Sequence, residues 1–156
     1  MSVHLENSLE LEKSIDFEDT VVLEKPSEEL TLDLSHSKLY ENDQVNFDFS
    51  MHGFELLEKK TGEYIQSPTF KMENNSEIQW YLKVYPSGDS EENKDYMGVF
   101  LHLKSEIPNL KVKADFYLGV QQRFNDYVSN KSSHIFTESK AEFGFAKMIK
   151  IEDLNM

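Results

Sequence analysis

Five histidines, at positions 4, 36, 52, 102 and 134, are the side chains in this sequence best suited to hold a metal or pass a proton near neutral pH. No two sit at the one-turn spacing that brings imidazoles onto a common ion, and there is no cysteine to complete a zinc or iron-sulfur ligand set. A thiol nucleophile is excluded with them. Ser67 stands in no G-x-S-x-G elbow, and the six glycines form no phosphate-binding loop. The 29 Asp and Glu residues are scattered over polar segments, so no acidic pair has the apolar setting that separates two carboxyl pKa values for acid and base work. The residue types therefore argue against an enzyme and call for no cofactor and no metal.

Charge narrows the partners further. Sixteen Lys and Arg leave a net charge of −13, which repels nucleic-acid phosphates and anionic lipid unless a basic patch intervenes, and the sequence holds no such patch. No apolar run approaches the roughly 20 residues that span a bilayer, and the first residues lack the basic and apolar regions of a secretory leader. With no cysteine in addition, the expected setting is cytoplasmic or nuclear. The sequence also carries 11 Phe, 7 Tyr and one Trp.

The elements that must position those rings are strands. Leu30, Leu32 and Leu34 alternate with Thr31 and Asp33; Val45, Phe47 and Phe49 with Asn46 and Asp48; Ile78, Trp80, Leu82 and Val84 with Gln79, Tyr81 and Lys83. This period of two marks half-buried strands. Further strands are expected over 20–24, over 64–72 with a break at Pro68, and over 97–104, 111–121, 133–137 and 145–149. Polar turn segments separate them, the most polar being the 86–94 loop, which reads as mobile and too charged to bury. Eight or nine short strands predict an all-β sandwich or barrel in a single domain. Residues 1–14 read as an acidic flexible tail, with Leu5, Leu9 and Leu11 leaving a short helix open.

Three segments carry a resemblance: Gly62-Glu63-Tyr64-Ile65-Gln66-Ser67-Pro68-Thr69-Phe70, Trp80-Tyr81-Leu82-Lys83-Val84-Tyr85-Pro86-Ser87-Gly88, and Lys94-Asp95-Tyr96. Their order and spacing resemble the G-x-x-x-x-S-x-x-F, W-x-L-x-V-x-P-x-G and K-D-Y pattern of the MATH, or TRAF homology, domain, and are most similar to the speckle-type POZ adaptors. Val112-Lys113-Ala114-Asp115-Phe116 and Phe143-Gly144-Phe145-Ala146-Lys147 match its V-x-A-x-F and W-G-F-x-K elements, so that the resemblance covers about 45–154. It implies an eight-stranded antiparallel sandwich that docks a short linear, Ser/Thr-rich segment of a partner. Phe100, Phe116, Glu142, Phe143, Gly144 and Phe145 fall on the docking groove. Phe100 stands for a tyrosine, Phe143 for a tryptophan and Glu142 for an aspartate, and Ala141 replaces a lysine. The lost phenol and indole donors leave two readings open: a greasier, less serine-selective groove, or one that no longer takes that motif. The alternation equally permits Phe116 and Phe145 as plain core. In such adaptors a separate BTB domain engages a ubiquitin ligase; no BTB segment is read in these 156 residues.

The ends are out of phase with that pattern. The strand that closes such domains, of the type K-L-T-L, is read near the start, at 29–35, and the Lys13-x-Ile15-x-Phe17-Glu18-Asp19 connector repeats as Lys147-x-Ile149-x-Ile151-Glu152-Asp153. Residues 15–35 are accordingly expected to supply the connector and the final strand of one domain over 15–156, as in a tandem or permuted arrangement. First and last strands are neighbours in this sandwich, so residues 29–35 should pair antiparallel with 45–50. An end exchanged between copies would instead give strand-swapped self-association, the alternative function.

Overall fold

A computed structural model of the chain describes residues 2–11, 43–52, 58–72, 75–122 and 127–154. Among them are nine strands: β1 Ser2–Leu11, β2 Asp43–His52, β3 Ile65–Gln66, β4 Phe70–Met72, β5 Asn75–Tyr85, β6 Tyr96–Lys104, β7 Val112–Gln121, β8 Tyr127–Phe136 and β9 Glu142–Lys150. Every pairing is antiparallel. One sheet runs β2-β1-β7-β8 and the other β3-β5-β6-β9, with β4 also on β5. This is the expected all-β sandwich.

Period-two patterning explains where the core lies. Ile78, Trp80, Leu82 and Val84 of β5 are fully buried, as are Val99 and Leu101 of β6 and Ala114, Phe116, Leu118 and Val120 of β7. Trp80 packs edge-on to Phe136 at 5.0 Å between ring centroids, and Phe47 of β2 stacks on Phe70 of β4 at 4.2 Å, so aromatic pairs tie the two sheets together.

The break at Pro68 has a local cause. Proline cannot donate to a ladder, and Ser67 repairs the gap: its N–H donates to the Leu82 carbonyl at 3.0 Å and its hydroxyl accepts from the Leu82 N–H at 2.9 Å. The motif serine is thus a buried structural residue, 3% exposed. The 86–94 segment is more ordered than its charge suggests. Gly88, at φ 78°, leads into a 3-10 turn at Glu91–Asn93, and a Cβ there would run into the Asn93 carbonyl. Asn93 donates to the Asp89 carboxylate at 2.8 Å, and the Ser87 hydroxyl to the Lys59 carbonyl at 2.8 Å.

The N-terminal segment departs from its expected role. Ser2–Leu11 is no flexible tail; it is β1, paired with β2 from Ser2↔His52 to Leu11↔Asp43 and with β7 from His4↔Gln121 to Glu10↔Asp115. The sequence signal was there, because Val3, Leu5, Leu9 and Leu11 all occupy odd positions, the same period of two that marked the other strands. On this side β2 is paired with β1. The segment assigned to that place, 29–35, lies outside the described residues, as do 15–28 and 20–24 within them.

Candidate functional site

Strand β9 is an edge. On one side it pairs with β6 through Val99↔Phe145, Phe100↔Gly144, Leu101↔Phe143 and His102↔Glu142; among the described residues no strand pairs with its other side. The Leu103 N–H donates to the Ala141 carbonyl at 2.8 Å. In an antiparallel ladder bonded and non-bonded pairs alternate, so Phe143 and Phe145 exchange their backbone bonds with β6, while Glu142 and Gly144 turn their N–H and C=O groups outward.

Across from this edge runs β8, the outer strand of the opposite sheet. Its alternate row Val128, Asn130, Ser132, His134 and Phe136 is the more buried one, yet only Phe136 is fully covered. Polar side chains at three of five core-ward positions make the seam between β8 and β9, here the furrow, a mixed polar and aromatic one: His134 stacks on Phe143 and Asn130 donates to the Met148 sulfur at 3.2 Å. The expected strand at 133–137 begins six residues earlier than the sequence suggested, because Asn130 and Ser132 interrupt the apolar alternation.

The six residues assigned to a groove divide by depth. Phe116 of β7 is fully buried and forms a floor, with Phe143 and Phe145 above it at 6.2 and 6.5 Å between centroids. Phe143 is 36% exposed and Phe145 half-buried. Glu142, Gly144 and Phe100 lie on the opposite face of the sheet. A Cβ on Gly144 would strike the Val99 carbonyl and the Phe100 backbone, so glycine is what lets β9 close on β6 at this point. The strand thus delivers alternate residues to two faces, and between them runs its outer backbone edge, with which no described strand pairs.

On the furrow side His134, weighed in the sequence only as a metal ligand, stacks on Phe143 at 4.3 Å and 18° and meets Phe136 edge-on at 4.7 Å. Burial pulls its pKa below 6.5 although the Lys140 backbone favours the charged form, which keeps the ring neutral and suited to stacking. Its Nε2 is shielded from solvent and has no hydrogen-bond partner. The signal for it was position: His134 is two residues before a core phenylalanine on a core-ward row.

On the other face Glu142 accepts from Lys83 at 2.8 Å and lies 3.1 Å from Nδ1 of His102. The His102 hydrogen bond, followed by Lys83, holds the carboxyl below its usual range against the opposing effect of burial. Lys83 also sits over the Tyr64 ring at 4.8 Å, and His102 stacks on Tyr81 at 4.5 Å. Phe100 meets Tyr85 edge-on at 5.5 Å. Burial alone would lower the Lys83 pKa; the bond and charge of Glu142 reverse this and raise it. Neither partner of Glu142 was anticipated, since an isolated Lys or His on a polar strand face reads as solvated.

No group of three or more His, Asp or Glu among the described residues could hold a metal, and no described helix is long and apolar enough to cross a membrane. A family model described as "MATH domain" matches residues 46–156. The chain is 33% identical over 117 residues to TD and POZ domain-containing protein 2 of Mus musculus, a match covering 74% of this chain and 30% of that protein. It is 36% identical over 72 residues to TD and POZ domain-containing protein 3 of Mus musculus, covering 46% and 20%. The chain thus spans less than a third of the length of these relatives. Matched over most of its length and folded as an antiparallel sandwich of the expected kind, the chain belongs to the MATH domain family, a family of protein-interaction modules.

Proposed function

We propose that this protein docks an extended segment of a partner protein along the outer edge of β9. The observation that carries the reading is the juxtaposition of backbone at Glu142 and Gly144, with which no described strand pairs, and a half-exposed aromatic stack, Phe143 on His134 over Phe116. An added strand gains main-chain hydrogen bonds for affinity, and its alternate side chains read the two faces for specificity. Toward the furrow they would meet aromatic rings and the Ser132 row, which suits small or apolar residues. Toward the other face they would meet Phe100 beside the Glu142 carboxylate. A short motif containing serine or threonine fits this alternation, and capture of substrates for a ubiquitin ligase, the role implied by the resemblance to POZ adaptors, would use the same edge.

The test is a peptide array probed with the full chain and with Phe143→Ala. Aromatic anchors commonly carry about 2 kcal/mol or more of binding energy, on the order of thirtyfold in affinity. Retention of wild-type affinity by Phe143→Ala would remove the groove assignment.

A second reading, self-association by strand exchange, is favoured by one observation. β1 lies between β2 and β7, in the interior of its sheet, yet reaches β2 in sequence only through the whole of residues 12–42. A strand on so long a connection can insert into a second copy without strain. Solution mass measured across a hundredfold range of concentration distinguishes the two readings: a constant monomer mass excludes exchange.

A further inference from the structure

A cavity of about 240 Å³ opens where β9 begins, between the loop that follows β6 and the β8–β9 turn. Its apolar wall is made by Leu103, Ile107, Leu110 and Ala141, and Glu106 and Glu138 contribute its carboxylates. Asn109, in the left-handed region at φ 57°, turns the loop back on itself and so brings Ile107 and Leu110 to one wall. The hydroxyls in the lining are already engaged: Ser105 accepts from the Ile107 N–H at 3.2 Å and Thr137 from the Lys140 N–H at 3.1 Å. Among the described residues no Lys, Arg or His lines the cavity, and none is paired with Glu106 or Glu138.

We propose that this cavity receives the side chain of an arginine or lysine in the docked segment, two to three residues beyond the one that meets Phe143. Two observations select that occupant. The chemistry is bipartite, with Leu103, Ile107, Leu110 and Ala141 for an aliphatic stem and the exposed Glu106 and Glu138 for a cationic head, a combination that long basic side chains satisfy at both ends. The position is continuous with the β9 edge, because Ala141 immediately precedes Glu142 and a strand advances about 3.3 Å per residue. A net charge of −13 draws basic segments toward the same surface. The inference rests on the docking reading for what presents the side chain, but the cavity can be probed alone.

The experiment is a titration of the isotopically labelled full chain with three blocked amino acids, acetyl-arginine, acetyl-norleucine and acetyl-glutamate methylamides, followed by backbone amide shifts. The arginine compound should move Leu103, Ile107 and Ala141 along saturable curves. Norleucine should bind at least about fivefold more weakly, as expected for loss of one charge-assisted contact at a half-open site, and glutamate not at all. E106Q/E138Q should reduce arginine to the norleucine level. Equal binding of norleucine and arginine, indifference to E106Q/E138Q, or no saturable shift at those three amides would each overturn the proposal. On the peptide array, capture without a basic preference at any position defeats the cavity assignment and leaves docking intact. Capture insensitive to Phe143→Ala defeats docking.

Discussion

The two faces of β9 are built on opposite principles. Toward the furrow, Phe143 and Phe145 stand over Phe116 and beside His134, an arrangement of rings held by packing, with burial keeping the one titratable member neutral. Toward the other face, Glu142 is held by Lys83 and His102, each in turn against a tyrosine ring. Rings adapt to many apolar side chains, whereas an ion pair fixes orientation. A single strand with a period of two can therefore offer a permissive wall and a selective wall to the same ligand, provided that its backbone edge is free. Gly144 is the hinge of this design, since only glycine allows the strand to press against β6 between the two.

Several variants would break or sharpen that contrast, the largest in effect being Phe116→Ala. A fully buried aromatic removed from the floor should cost about 3–5 kcal/mol of stability, read by denaturant melting. Phe143→Ala, one layer above, should leave the melting curve near wild type and lose binding instead. Gly144→Ala comes next: the new methyl group must push β9 off β6, at about 1–3 kcal/mol, and peptide capture should fall with it. Glu142→Gln is smaller, about 1 kcal/mol, because the pair is only partly buried. Its effect should depend on pH. Glu142 has a depressed pKa, so its stabilisation is complete above the ordinary carboxyl value of 4.5 and is lost as the pH falls through the lower folded value. Melting followed from pH 6 down to pH 3 should show a shallower acid limb in the Gln variant. The smallest effect belongs to His134. Its folded pKa lies below 6.5, so the unfolded chain takes up the proton first and stability declines as the pH falls below 6.5. His134→Phe should flatten that part of the profile, and proton NMR should show the His134 ring titrating below the ordinary value.

The sandwich was legible because the strands of its core obey strict alternation. The alternation of Trp80 with Ile78, Leu82 and Val84 is enough to assign them to the core, and Pro68 marks the gap between β3 and β4. What escaped notice has one physical cause: along the outer strand β8, core-ward positions carry polar residues and the period fades. Asn130, Ser132 and His134 hid the first half of β8 in this way, and the same residues line the furrow. The misreading of Ser2–Leu11 has another origin. Glu6, Glu10 and Asn7 gave the segment the composition of a tail, and composition outweighed the alternation of Val3, Leu5, Leu9 and Leu11. Of the candidate site, the six assigned residues all fall at or beneath β9, but the partners that orient them, His134, Lys83 and His102, come from other strands. Such partnerships depend on register across a sheet, which no spacing along the chain reveals.

Amide hydrogen exchange at β9 tests the central claim most directly. With a peptide recovered from the array bound to the full chain, the amides of Glu142 and Gly144 should slow markedly, and those of Phe143 and Phe145, already bonded to β6, should change little. Protection that skips Glu142 and Gly144 and appears instead on β2, β3 or the 86–94 turn would contradict docking along this edge.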